Sequence, residues 1–315
     1  MKKKELRIVF MGTPEFAVGS LKALVEGGYN VVGVVTQPDR PVGRHGSVLQ
    51  PSAVKQYALE HGIPVLQPEK MKDSDFVNEL RAMNADVQVV VAFRMLPEVV
   101  WAMPRYGTFN VHASLLPQYR GAAPINWAVI NGETMTGVTT FFLDHEIDTG
   151  RIIMQKTFAI PDDADVEYVY EGLMALGAEA CIETIDAIIE GDGHVESTPQ
   201  IVKTDGILKP APKIFKDTCQ INFGMTAREV YNFVRGLSPV PGAWGNVSID
   251  DGVQTEMKIF STRKTGEHTD IKPGAIKTTK KQMFVATGDE WLEVLTLQMP
   301  GKKRMGATDY INGKR

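Results

Sequence analysis

Short apolar runs alternate with stretches of helical periodicity through the first half of the chain. Residues 7–11 form such a run and end at Gly12-Thr13-Pro14. Residues 14–26 then repeat their apolar positions at helical spacing, Gly27-Gly28 stops the repeat, and residues 31–36 are apolar again. The runs predict buried strands, and the repeat predicts a helix with proline in its first turn. Strand, helix and strand within about 30 residues make a βαβ unit. The alternation continues with helices over 52–61 and 73–83 and strands over 64–66, 87–92 and 109–112. These strands lack polar alternation, so helices must cover both faces of their sheet. The prediction is an α/β fold, an open, doubly wound and largely parallel sheet.

A helix over 124–131, apolar runs over 137–143 and 151–160, and a long helical repeat over 165–190 complete the first domain, taken as residues 1–205. Residues 206–212 hold two prolines and read as a linker. Beyond it, over 213–315, one helix (226–237) precedes strand-like runs at 246–249, 257–261, 283–287 and 292–298. Short strands around Gly and Asp turns predict a small β-barrel.

A length of 315 residues suits two domains, and 43% hydrophobic with 23% charged residues excludes a disordered or fibrous chain. No apolar stretch reaches the roughly 18 residues of a membrane span, and the basic start leads into too short a run for a signal peptide. Cys181 and Cys219 are the only cysteines and form no C-x-x-C pair, which fits a reducing, cytoplasmic setting. The net charge of -4 argues against a nucleic-acid partner until it is divided along the chain. Residues 1–205 carry 17 basic and 27 acidic side chains, a balance of -10, whereas residues 206–315 carry 17 and 11, a balance of +6. The second domain is therefore the electrostatic handle for a polyanion.

Open α/β sheets bind ligands beyond the carboxyl ends of their strands. At the first such end, Gly12-Thr13-Pro14-Glu15-Phe16 lacks the G-x-G-x-x-G fingerprint, and Thr36-Gln37 stands where a ribose-binding acid would end the second strand. Both count against a nicotinamide cofactor. In the extended segment Asn110-Val111-His112, residues two apart point the same way, so an amide and an imidazole face one pocket. An amide can donate to a developing oxyanion and an imidazole can move a proton. Asp148, in the loop 144–150, could orient and charge-stabilise His112. On residues alone, an isolated N-x-H more commonly only caps a strand, and Asp148-Thr149-Gly150 more commonly forms only a turn. Asp144, His145 and Glu146 are consecutive on one loop and predict no metal site. The connection from 36 to 55 is long, and its Arg40 and Arg44 either grip phosphate or bases or belong to a mobile surface loop.

Together these segments resemble the methionyl-tRNA formyltransferase family. The resemblance rests on Ile8-Val9-Phe10-Met11-Gly12-Thr13-Pro14-Glu15-Phe16, on 36–44, on the run N-V-H-A-S-L-L-P-Q-Y-R-G-A-A-P-I over 110–125, on Asp148-Thr149-Gly150, on Lys213-Ile214 and on Gly301-Lys302-Lys303-Arg304-Met305, and so spans essentially the whole chain. It implies a Rossmann-like formyltransferase domain followed by an OB-like barrel. It also implies transfer of a formyl group from 10-formyltetrahydrofolate to the α-amine of methionine on initiator tRNA, by a monomer acting without a metal. Asn110, His112 and Asp148 become the catalytic trio. Val90, Ala92, Phe93, Arg94, Met95, Ser114, Leu115, Leu116 and Pro117 line the folate site, and Arg40, Arg44, Lys302, Lys303 and Arg304 contact tRNA. The chain departs from the family's usual A-Y-G-x-I-L-P at Ala92-Phe93-Arg94-Met95-Leu96-Pro97, one residue shorter with Arg94 where Gly is commoner. Glu146-Ile147 replaces Gly-Leu ahead of Asp148, and Arg151 replaces a common Asp. Formyltransferases acting on sugar nucleotides or glycinamide ribonucleotide share the trio, and a non-catalytic RNA-binding protein would not need it. The two-domain layout favours tRNA as acceptor.

Overall fold

The computed structural model describes residues 1–42, 46, 48–201, 206–249 and 252–313. It forms two compact units. One holds Met1–Arg120, Thr136–Phe158 and Tyr170–Lys209; the other holds Gly121–Met135, Ala159–Val169 and Pro210–Arg315.

The chain runs β1 (Arg7–Gly12), α1 (Glu15–Glu26), β2 (Asn30–Val35), β3 (Arg40–Val42), β4 (Val48–Gln50), α2 (Ala53–Glu60), β5 (Val65–Leu66), α3 (Ser74–Ala82), β6 (Val87–Val91), α4 (Glu98–Trp101) and β7 (Thr108–His112). It continues through α5 (Pro124–Ile130), β8 (Met135–Phe142), β9 (Ile152–Ala159) and α6 (Val166–Glu190). The first sheet has the order β5-β2-β1-β6-β7-β8-β9. β5, β2, β1, β6 and β7 pair in parallel, whereas β8 runs antiparallel to β7. Ile8, Val9 and Phe10 in β1 and Val87, Val89 and Val91 in β6 are fully buried, as apolar strands covered on both faces must be. Ser52 caps α2 by accepting from the Lys55 N–H, and Asp73 caps α3 by accepting from Asp75 and Phe76.

β3 and β4 form a separate antiparallel ribbon inside the long connection expected to be a loop, with Arg40 opposite Gln50 and Val42 opposite Val48. Every residue of the ribbon is exposed, so it carries no alternation by which a strand could be recognised. Gln67 and Lys55 fix its base by donating to the two carboxylate oxygens of Asp39 at 2.8 and 2.7 Å.

The second unit contains α7 (Ala227–Gly236), β10 (Ala243–Ile249), β11 (Val253–His268), β12 (Ile276–Thr278), β13 (Met283–Ala286), β14 (Glu290–Gln298), β15 (Met305–Gly306) and α8 (Ala307–Gly313). Its sheet, ordered β10-β11-β14-β13-β12, is antiparallel throughout. A bridge from Ser248 to Ala275 brings its two ends together as a curled half-barrel of the OB-like kind. Val230 and Val234 of α7 close the core over Val247, Met257, Ile259, Leu292 and Val294. α5 packs on α7, and the Asn126 amide donates to the Gly236 carbonyl at 2.9 Å. A Cβ on Gly236 would stand 2.8 Å from the backbone nitrogen of Ile130, so that close approach requires glycine. Within residues 206–212, the Lys209 carbonyl accepts from Tyr119 and that of Ala211 from Ala123.

Candidate active site

β7 lies near the antiparallel edge of the first sheet, and its period of two sorts its side chains. Phe109 and Val111 are buried in the core, while Asn110 and His112 share the opposite face. Asn110 is half-buried, and among the described residues no group hydrogen-bonds its side-chain amide. Both N–H groups remain available to a ligand. His112 is buried, and its Nε2 lies 2.9 Å from the Tyr119 carbonyl. A carbonyl only accepts, so Nε2 carries hydrogen and, in the neutral ring, Nδ1 presents its lone pair. That atom faces the Asp148 carboxylate across 3.9 Å, a gap too wide for a hydrogen bond. The two side chains are only 7% and 11% exposed, so water screens this interaction weakly.

The loop that carries Asp148 is built for close approach. Glu146 N–H and Thr149 Oγ1 both donate to Asp144 Oδ1, at 3.1 and 2.8 Å. Asp148 adopts a left-handed backbone conformation (φ 55°). A Cβ on Gly150 would fall 1.6 Å from the Phe142 carbonyl oxygen, so only glycine permits the chain to turn there. The D-T-G segment is thus a turn and a mount for a carboxylate at once. Gln200 spans the same loop, donating to the Asp148 and Gly150 carbonyls.

Among the residues around the trio, the side chains of Val90, Ser114 and Leu116 are enclosed by protein. Ser114 Oγ donates to the Gln118 carbonyl at 2.7 Å, which occupies its hydroxyl hydrogen. Ala92 and Met95 are exposed, and Phe93, Leu115 and Pro117 are half-buried, so these present surface beside the trio's sheet edge. Arg94 donates to the Pro68 and Glu69 carbonyls. Among the described residues no group of three or more His, Cys, Asp or Glu side chains is placed to hold a metal ion.

Residues 6–185 match the family described as formyl transferase, and residues 213–315 match the formyl transferase C-terminal domain. A methionyl-tRNA formyltransferase from Parabacteroides distasonis is 60% identical over 314 residues, 99% of this chain and 97% of the relative. The chain belongs to the methionyl-tRNA formyltransferase family. Solved structures extend the likeness of fold beyond the family. HypX from Aquifex aeolicus, crystallised with tetrahydrofolic acid, superposes with a TM-score of 0.64 at 18% identity over 98% of this chain, which spans 47% of the HypX chain. The sugar 3N-formyl transferase WlaRD, solved in the presence of dTDP and 5-N-formyl-THF, gives 0.64 at 20% identity over 95% of this chain and 99% of its own.

In this formyltransferase the remaining expected binding residues lie far from the trio in sequence. Arg40 is exposed on β3, where its guanidinium donates to Gln37 at 2.7 Å. Lys302, Lys303 and Arg304 are exposed before β15, with Arg304 stacked over Phe260 at 4.3 Å. Arg44 lies outside the described residues. Two partners of the expected trio, the Tyr119 carbonyl and Gln200, are not expected from the sequence, nor is Arg120, which bonds Gln200. A backbone acceptor leaves no trace in residue type, whereas Arg120 stands inside the signature run 110–125 and could have been found there.

Proposed function

We propose that this chain transfers the formyl group of 10-formyltetrahydrofolate to the α-amine of methionine esterified to initiator tRNA, with Asn110, His112 and Asp148 as the catalytic residues. The observation that carries the site assignment is the placement of Asn110 and His112 on one face of β7 with the Asp148 carboxylate 3.9 Å from His112 Nδ1. Addition of a neutral amine to a formyl carbon forms a C–N bond and leaves an oxyanion and a proton on nitrogen. The unengaged Asn110 amide donates to the oxyanion. His112 Nδ1 accepts the proton, directly or through water, and Asp148 stabilises the resulting imidazolium. The proton then passes to the departing folate nitrogen as its bond to the formyl carbon breaks, so the imidazole ends the cycle neutral.

The folate donor fits the surface beside the trio. Exposed Met95 and half-buried Phe93 follow β6, the strand next to β7, and offer thioether and aromatic area to a flat heteroaromatic ring. Ala92, Leu115 and Pro117 extend that surface, whereas the enclosed Val90, Ser114 and Leu116 shape it from beneath. Arg94, engaged with backbone carbonyls, braces the segment. On the tRNA side, Arg40, Arg44 and the basic run Lys302-Lys303-Arg304 supply positive charge to phosphates. Domain boundaries along the chain at 1–205, 206–212 and 213–315, with 121–135 and 159–169 grouped with the last, and a monomeric, cytoplasmic enzyme complete the reading.

Formylation of initiator Met-tRNA, measured beside the elongator species, tests it. Asn110→Ala and Asp148→Asn are each expected to lower kcat by about 10²-fold or more with donor binding retained. Near-normal turnover in either variant would remove that residue from the mechanism, and equal formylation of both tRNAs would remove initiator selectivity.

A further inference from the structure

A chain of hydrogen bonds runs through the segment 119–120 and Gln200 and links the backing of His112 to the Asp148 loop. Tyr119 accepts from His112 Nε2 at 2.9 Å. The next residue, Arg120, donates from Nε and Nη2 to the side-chain oxygen of Gln200 at 3.2 and 2.7 Å. Gln200 Nε2 donates in turn to the carbonyls of Asp148 and Gly150 at 2.8 and 2.9 Å. One primary amide therefore brackets Thr149 by grasping the carbonyls on either side of it. Asp148 has φ 55° and Tyr119 has φ 59°, so one member of the pair and the residue that holds the other both sit in the left-handed region that non-glycine residues avoid.

We propose that Gln200 and Arg120 are positioning residues that set the alignment of the Asp148 carboxylate with His112 Nδ1. This rests on the catalytic reading of the trio given above. The segment 119–120 holds both halves of the pair: its first residue fixes the imidazole ring, and its second anchors the amide that fixes the carboxylate's loop. The chemistry requires an amide at 200. Its nitrogen must donate to two carbonyls while its oxygen accepts from a guanidinium, which a glutamate cannot do because both its oxygens accept. Arginine is matched to its place because its fork delivers two N–H groups to one oxygen in a fixed plane. Gln200 and Arg120 are half-buried and outside the cores of the two units, and the Gln200 side chain bonds the Asp148 loop on one side and Arg120 on the other.

The test is steady-state kinetics of Gln200→Glu, Gln200→Ala and Arg120→Lys with 10-formyltetrahydrofolate and initiator Met-tRNA, alongside Asp148→Asn and thermal melting of each variant. Misplacing a catalytic group by about 1 Å costs on the order of 10²-fold in rate. We expect kcat to fall about 10-fold to 10²-fold in both Gln200 variants and less in Arg120→Lys, with KM for both substrates within about two-fold of the parent. Gln200→Glu keeps the bond to Arg120, so its fall in turnover isolates the donated bonds. If the Gln200 variants retain the parent kcat while Asp148→Asn loses it, the positioning role is wrong and the trio stands. If Asp148→Asn also retains turnover, the reading of the trio is what fails. A fall in kcat that merely follows the fraction of folded enzyme, or a rise in KM without a fall in kcat, also overturns the proposal.

Discussion

Burial pushes the thiol of Cys181, in α6, up to about 12, and desolvation raises that of Cys219 as well. Thiolate is the reactive form, so neither sulfur is poised for chemistry at neutral pH. The native enzyme is expected to resist alkylation by iodoacetamide at pH 8 and to take up two labels after unfolding in denaturant. Rapid labelling of either cysteine in the native state would contradict this. Single residues also show what the sequence makes legible. Asn110 and His112 are readable as a pair because a strand's period of two is fixed by its backbone. Arg94 joins the expected folate residues by its position in a motif, yet its direction is set by the carbonyls of Pro68 and Glu69, about 25 places earlier, and local sequence carries no record of them. The Tyr119 carbonyl that orients His112 is equally invisible.

At the scale of elements, burial decides what can be read. The strands and helices of the first sheet bury a face and announce themselves by periodicity. β3 and β4 bury neither face, and β11 extends well beyond the expected 257–261 because only its middle is enclosed. Bonds between elements are not legible either. Asp162, on the short segment between β9 and α6, receives Arg228 of α7 and Lys264 of β11, each at 2.6 Å. Those bonds hold its carboxyl at about 2, below the ordinary value of 3.8. A carboxylate lowered in the folded state stabilises it above the unfolded value, and that contribution disappears as pH falls from near 4 towards 2. Asp162 is 56% exposed, so solvent limits the gain to about 1 kcal/mol. Asp162→Asn should therefore melt about 2 to 4 °C below the parent at pH 7, and the difference should narrow as the pH drops below 4. A gap that stays constant from pH 7 to 2.5 would contradict the assignment.

For the whole molecule, net charge misleads until it is divided. The surplus of +6 over residues 206–315 sits within a chain of net -4, and the proposed tRNA binding would draw on it. Replacing Lys302 and Lys303 together with alanine should reduce the slope of log affinity against log salt by about one for each phosphate that these lysines neutralise. An unchanged slope would remove them from the interface. How the compact units are composed matters as much as how they are charged. Neither is one stretch of sequence, because 121–135 and 159–169 belong with the C-terminal portion. Asn126 bonds the Gly236 carbonyl, Trp127 that of Pro212, and Tyr231 and Arg235 bond the carbonyls of Asp162 and Ala164. The barrel is therefore not a cassette that recombination at the proline-rich junction could exchange intact. A chimera joined at residue 206 would leave α7 without its native partner helix, and a functional graft would have to carry both inserted segments with it.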